Sequence, residues 1–279
     1  MTSRHLLFLA ALMLSAIAAG GQEPESSVPV LSPEETLANL TATVPTWLFL
    51  YDQGSVEAFG GESAVQDQIL GQEDLAREIF SNSGLAGRAV HIVVRPAPGD
   101  IETADTADPV TLLVRLRSSR AAAEMRRREH ASRVFLSVRR MDGVSGVASQ
   151  TNVPADLKNP LLAFSVVRTG TLVSQLTAFH EFGHTVGCRH DPAHLTPSDL
   201  AGGSRGSKYT YGHGYSQGGV CDIMAVLCSS APVYSTPRVK YEGHTIGVTN
   251  VSDCSRVILT NWEAAAKLAD VPYNPRPHH

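Results

Sequence analysis

His180-Glu181-Phe182-Gly183-His184-Thr185-Val186-Gly187-Cys188-Arg189-His190-Asp191 is the stretch on which the reading of this chain turns; its pattern is H-E-x-x-H-x-x-G-x-x-H-D. On a helix, His180 and His184 stand four residues apart on one face, one turn above the other, so both imidazoles reach a single ion. At about 100° per residue, Leu172, Leu176, Phe179, Gly183 and Val186 form an apolar stripe roughly a quarter-turn from the two histidines. Such a helix buries one side and presents its ligands at a cleft. Glu181 lies further round, beside the ion but not in line to ligate it with both histidines. A carboxylate there takes a proton from a water on the metal and returns it to a departing amine.

H-E-x-x-H alone is a modest signal, because short motifs arise by chance and a histidine pair also occurs as a hydrogen-bonded surface feature. The extension carries more. Gly187 can take a positive φ, end the helix and turn the chain so that His190 swings back to the same ion. Three neutral imidazoles and one water make the open tetrahedral site of catalytic zinc, whereas structural zinc fills all four positions with protein. Asp191 then reads as a group supporting the ligands rather than as a fourth ligand.

Around this motif the composition describes a chain that can bury a sizeable core: 279 residues, 43% apolar and 18% charged. A net charge of -4 offers no basic footprint for phosphate backbones or anionic lipid surfaces, so no nucleic acid partner is expected. At the N-terminus, Arg4 and His5 precede an apolar run from Leu6 to Ala19, followed by Gly20 and Gly21. This pattern predicts a signal peptide over residues 1–20, cut near residues 18–22, and a secreted product. The run is shorter than the roughly 20 apolar residues that cross a bilayer, and no basic stop signal follows it. After signal removal no membrane association is expected.

All four cysteines, Cys188, Cys221, Cys228 and Cys254, fall in the last third of the chain. An even count in an oxidising compartment suggests two disulfides among three connectivities. Cys221 and Cys228 flank a short loop around Met224 and are the first pair expected. Cys188 and Cys254 then pair or stay buried as thiols, and four free cysteines remain the alternative.

Residues 21–44 are polar and rich in Pro, Ser and Glu, as in a flexible tail or short prosegment. A single catalytic domain is expected over residues 45–272, with a short tail at 273–279. Strands are predicted at Thr46 to Tyr51, Arg88 to Val94, Arg133 to Val138 and Leu161 to Val167. A helix is predicted from Glu62 to Ser81, weakened by Gly71, and another behind the Asp108-Pro109 cap. The latter carries Leu112, Leu113 and Leu116, then an Arg-rich solvated face with Arg115, Arg117, Arg120, Arg126, Arg127 and Arg128. Strands alternating with helices argue for an α/β fold, a sheet covered by helices on at least one face. His91, His194, His213, His244, His278 and His279 read as surface or hydrogen-bonded residues. Asn39-Leu40-Thr41 and Asn250-Val251-Ser252 match the glycosylation acceptor pattern.

With the zinc string in view, the chain resembles the metzincin peptidases, and within them the adamalysin or reprolysin-like group, including its compact microbial members. Asp191 after the third histidine marks that group, and Cys221-Asp222-Ile223-Met224-Ala225 resembles the methionine turn that lies beneath the metal. The position two residues after Met224, a tyrosine in some metzincins, is Val226 here. The likeness runs from about Trp47 to Asp270. It takes in Val233 to Pro237 and Val239 to Gly243, similar to the primed-side wall of the family's cleft, and Arg256 to Leu268 as a closing helix.

The resemblance implies a zincin-like α+β fold: a twisted mixed sheet with covering helices, an upper N-terminal lobe and a smaller C-terminal lobe flanking the cleft. It implies one catalytic zinc on His180, His184 and His190, with Glu181 as base and Met224 as an apolar floor. No cysteine precedes Cys188, so a cysteine switch in cis is not expected. The activity expected is that of a secreted zinc endopeptidase acting as a monomer on protein or peptide substrates; nothing indicates a structural calcium. The alternatives are a non-catalytic secreted binding protein on a peptidase scaffold and a zinc hydrolase of non-peptide amides.

Overall fold

A six-residue apolar run, Thr46–Tyr51, forms β1 and lies inside the sheet, where both of its faces are covered. The pleat sends Trp47, Phe49 and Tyr51 into one core and Leu48 and Leu50 into the other. In this computed structural model residues 43–172, 174–195 and 208–275 are described. The expected signal peptide, residues 21–42 of the tail, Asn39-Leu40-Thr41, His278 and His279 lie outside the described residues.

β1 pairs in parallel with β2 (His91–Pro96) and β3 (Ala131–Val138), and β3 pairs in parallel with β5 (Phe164–Arg168). A three-residue strand, β4 (Gly146–Ala148), runs antiparallel to β5 and closes the order β2-β1-β3-β5-β4. The result is a mixed α/β fold with a central mixed sheet. One core unites the Trp47 face with Val65, Ile69, Ile79, Phe80, Phe179, Phe182 and Trp262; the other unites the Leu48 face with Leu112, Leu116 and Leu162.

Between β1 and β2 stand three helices, where one long helix after a loop is the sequence expectation. The Asp52 carboxylate accepts from the Ser55 N–H at 2.7 Å and starts α1 (Gln53–Phe59), which Gly60 ends at φ +81°. Gly71 divides the expected helix into α2 (Glu62–Leu70) and α3 (Gln72–Asn82), consistent with the weak helix propensity of glycine. Asp108 caps α4 (Pro109–Ser118) through the Thr111 N–H at 2.7 Å, with Pro109 in the first turn. At Ser119 the chain turns extended, and the hydroxyl caps a separate α5 (Arg120–Arg128).

That break corrects the expectation of one solvated arginine face. Arg126 is buried, donating to the Val271 carbonyl at 3.0 Å and to the Leu268 carbonyl, and Arg117 donates to Ser149 Oγ at 2.6 Å. Only Arg120, Arg127 and Arg128 of the set are exposed. The expected strand from Leu161 is also shifted. Asn159 Oδ1 accepts from Leu161 N at 3.1 Å and, with Pro160, holds Pro160–Ala163 in a 3-10 turn, so pairing begins at Phe164.

After β5 come α6 (Thr177–Val186), short β6 (Ser216–Gln217) and β7 (Val220–Cys221), the hairpin β8 (Lys240–Tyr241) and β9 (His244–Thr245), and α7 (Cys254–Ala266). α6 is shorter than the sequence suggests. Leu176, its N-cap, sits at φ +52°, and Leu172 precedes it next to a 3-10 turn. Both leucines are nevertheless buried in the core that the apolar stripe faces. Among the described residues no helix is long and apolar enough to cross a membrane.

Candidate metal centre

The packing of α6 fixes where its polar side points. Phe179 and Phe182 set their rings 5.7 and 4.9 Å from Trp47 of β1, so this face of the helix is locked to the sheet. Three further bonds hold the helix ends. Tyr234 donates to the Phe179 carbonyl at 2.7 Å, Asn261 of α7 to the Val186 carbonyl at 2.8 Å, and Arg133 Nε of β3 to Thr185 Oγ1 at 3.0 Å. Arg133 is buried with its guanidinium 5.6 Å from the Phe182 ring, and burial lowers its pKa to about 9. Its Nη1 donates to the Ala265 carbonyl near the end of α7, at 3.2 Å, so the cation lies against the negative ends of both helices.

Gly187 ends α6 at φ +114°, and its N–H returns to the carbonyls of Gly183 and His184. A Cβ there would lie 2.6 Å from Tyr209 Cδ2, so the residue must be glycine for reasons of both conformation and space. Beyond this turn His190 comes back to the helix. The Nε2 atoms of His180, His184 and His190 stand 3.1 to 3.2 Å apart in a triangle, and the three could hold one metal ion.

The surroundings fit such an ion. His180 Nδ1–H donates to the Ile223 carbonyl at 2.8 Å and His184 Nδ1–H to the Cys188 carbonyl at 3.1 Å. A carbonyl only accepts, so Nδ1 carries the proton and the Nε2 lone pairs of these two rings can converge. Zinc–nitrogen bonds of about 2.0–2.1 Å in a tetrahedron imply nitrogen–nitrogen edges of roughly 3.3 Å. The observed edges are close to that value.

Met224 packs from below. A Cβ on Gly183 would lie 2.3 Å from the Met224 sulfur, so the helix is bare of a side chain where the methionine meets it. Asp222 builds this turn. Its Oδ1 accepts from the N–H groups of Tyr215, Met224 and Ala225 at 2.9, 3.1 and 2.9 Å, and its Oδ2 from Ser235 N at 2.8 Å. Burial raises its pKa to about 7, against the pull of these donors. Asp191, also buried, ties the third histidine's loop to the same region. Its Oδ2 accepts from His194 Nδ1 and Ser216 Oγ, both at 2.7 Å, and its Oδ1 from Val226 N at 3.2 Å. Burial opposes ionisation of Asp191, but the bonds from Ser216, His194 and Val226 outweigh it and leave the pKa lowered. A disulfide joins Cys221 to Cys228 across the methionine loop, while Cys188 and Cys254 are buried thiols.

Glu181 turns towards β4. A Cβ on Gly146 would lie 2.4 Å from Glu181 Oε1, so the carboxyl packs directly against that strand's backbone. Burial pushes its pKa up to about 8; a cation on the histidines would lower it by direct attraction.

Reading the sequence alone misses β4, Asp222 and the contacts of His194 and His213. Three residues without alternation give no strand signal. Asp222 lies within the recognised Cys221 to Ala225 stretch, but its four donors come from three separate segments. His213 Nδ1 bonds to the His190 carbonyl at 3.1 Å, whereas His91 bonds to Glu73 at the surface.

The mixed sheet, the helix carrying two histidines and the returning third define a three-histidine centre that could hold one metal ion. Residues 41–235 match the family described as Metallo-peptidase family M12 (Reprolysin_5). The chain belongs to that family, as a reprolysin-like metzincin, with three histidines that could hold one metal ion. No curated protein matches the sequence. Among solved structures, a chain from the "Structure of a chaperone-substrate complex" is similar, with TM-score 0.62 and 17% identity over 85% of this chain. This chain spans 36% of the length of that one, and the likeness is one of fold.

Proposed function

We propose that the protein is a secreted endopeptidase that cleaves internal peptide bonds of protein or peptide substrates, with His180, His184 and His190 holding zinc and Glu181 as general base. The observation that carries this reading is the position of Glu181, buried one residue from a metal ligand and packed against Gly146 of β4. Zinc, when bound, polarises the scissile carbonyl and acidifies the attacking water. Glu181 accepts the water's proton on its carboxylate and delivers it to the departing amide nitrogen. Its burial keeps bulk water from competing for that proton.

β4 closes the sheet, so the edge turned away from β5 has no strand partner among the described residues. An extended peptide that pairs there lays its backbone beside Glu181 and the histidines. Recognition through main-chain bonds suits cleavage within a chain rather than at its end. Met224 supplies the apolar floor, Gly187 the turn that returns His190, and Asp191 the link from His190 to the methionine loop. The signal pattern of residues 1–20 and the Cys221–Cys228 disulfide support export. The domain is read as residues 45–272 and the working state as a monomer.

The test is incubation of the purified protein with proteome-derived peptides, with and without a zinc chelator. Internal cleavage that stops with chelator and returns with zinc is expected. Tight zinc without any cleavage would instead indicate a binding protein, and turnover confined to small non-peptide amides would indicate the other hydrolase.

A further inference from the structure

Two cysteines are left over once Cys221 and Cys228 have paired, and the fold brings them together. Cys188 and Cys254 stand 66 residues apart in the sequence, yet both are wholly buried in the same core. Cys188 Sγ–H donates to the Cys254 carbonyl at 3.7 Å, and the two thiols also meet each other. Packing alone asks only for a small apolar side chain at each position. It does not ask for two sulfurs in contact.

The pair also joins two parts of the molecule that matter to the metal centre. Cys188 lies between the zinc helix and its third histidine: its carbonyl accepts from His184 Nδ1–H at 3.1 Å, and His190 follows two residues later. Cys254 is the first residue of α7, behind the Asp253 cap, and its N–H donates to Ser235 Oγ at 3.0 Å. The Gly212 carbonyl links the two segments, accepting from Arg189 N–H at 2.8 Å and from Cys254 Sγ–H at 3.2 Å. A bond between the sulfurs would tie the turn that carries His190 to the start of α7.

We infer that Cys188 and Cys254 form a second disulfide when the chain folds in an oxidising compartment, and that this bridge holds the His190 turn on α7. The inference rests on the export reading above. The chemistry is thiol–disulfide exchange with a small disulfide such as glutathione disulfide. One cysteine, as its thiolate, displaces one glutathione thiol, and the second cysteine then displaces the other from the mixed disulfide. Two glutathione thiols leave with the two protons and two electrons that the cysteines lose. Because both sulfurs are buried in the folded protein, the exchange belongs to folding, and the closed bridge is afterwards shielded from reductant.

The test is refolding of the reduced full-length protein with zinc, in glutathione buffers that run from the thiol alone to the disulfide alone. Thiols are then alkylated in denaturant, and bridges are read from peptide masses without reduction. Peptides linked through Cys188 and Cys254, beside the Cys221–Cys228 bridge, are expected towards the oxidised end. Cys188 and Cys254 still alkylated in glutathione disulfide alone would overturn the inference. The same alkylation, applied to protein exported from an expression host, gives the answer without refolding. A second readout is the rate at which a chelator strips zinc. It should be about 10-fold slower for oxidised than for reduced wild type, and equal in both buffers for Cys188→Ala/Cys254→Ala, which keeps only the Cys221–Cys228 bridge. Equal rates for the two forms of the wild type would overturn the hold on His190. Whether the protein is found outside its own cell is a separate measurement that decides the export reading, and the refolding result stands whichever way it falls.

Discussion

Gly183→Ala sets two effects of opposite sign against each other at the contact between the zinc helix and the methionine turn. Alanine in place of glycine inside a helix gains about 1 kcal/mol of propensity. The added methyl, however, would lie 2.3 Å from the Met224 sulfur, 3.2 Å from its terminal methyl and 3.4 Å from Cys188 Cβ. Ordinary contact needs about 3.5–4.0 Å, so the sulfur must retreat by more than an ångström. Met224 is wholly buried, and its N–H is held by Asp222, which leaves little room for the retreat. Overpacking of this kind costs about 1–3 kcal/mol, occasionally more.

The upper part of that range is expected, for a net loss of about 1–2 kcal/mol after the propensity gain. At about 2–4 °C per kcal/mol for a domain of this size, the thermal midpoint should fall by roughly 2–8 °C. Zinc affinity, measured by competition with a chromophoric chelator, should fall about 10-fold, because Ile223, whose carbonyl accepts the hydrogen bond from His180 Nδ1–H, adjoins Met224. The double variant Gly183→Ala/Met224→Ala should recover part of the combined loss, with a coupling of about 1 kcal/mol or more. A Gly183→Ala protein that is more stable than wild type, binds zinc equally and shows additive double-mutant behaviour would refute the reasoning.

Gly187→Ala combines a positive φ with a contact of 2.6 Å to Tyr209; a loss of about 3 kcal/mol is expected, visible as a lowered urea midpoint together with weakened zinc binding. Asp222→Asn presents an amide N–H to at least one of four backbone N–H groups that now meet oxygen. It should cost about 1–3 kcal/mol, and an unaltered thermal midpoint would show that these bonds do not hold the methionine turn. Asp191→Ala removes the acceptor shared by His194, Ser216 and Val226. A stability loss of about 1–3 kcal/mol is expected, with zinc released more readily to a chelator.

Much of this molecule is legible in its sequence wherever a residue's role is local. Thr46–Tyr51 reads as a strand and is one; Asp108-Pro109 reads as a helix start and is one. The spacing of His180, His184 and His190 fixes a triad because a helix and a glycine turn convert sequence separation into distance. What escapes is what depends on distant partners. Arg126 belongs to a solvated run by composition but is buried, because Ser119 breaks the helix and the carbonyls of Leu268 and Val271 are there to receive it. β4 is a strand only because β5 is beside it. The four donors of Asp222 converge only in the folded chain.

The central claim, that a three-histidine zinc centre hydrolyses peptide bonds with Glu181 as its base, is tested most directly by Glu181→Gln. The amide keeps the size of the side chain against Gly146 but cannot take the proton. The measurement is zinc content by mass spectrometry alongside peptide hydrolysis by the same preparation. One zinc per chain with hydrolysis reduced about 100-fold or more is the predicted result. Hydrolysis at the wild-type rate, with zinc in place, would contradict the account.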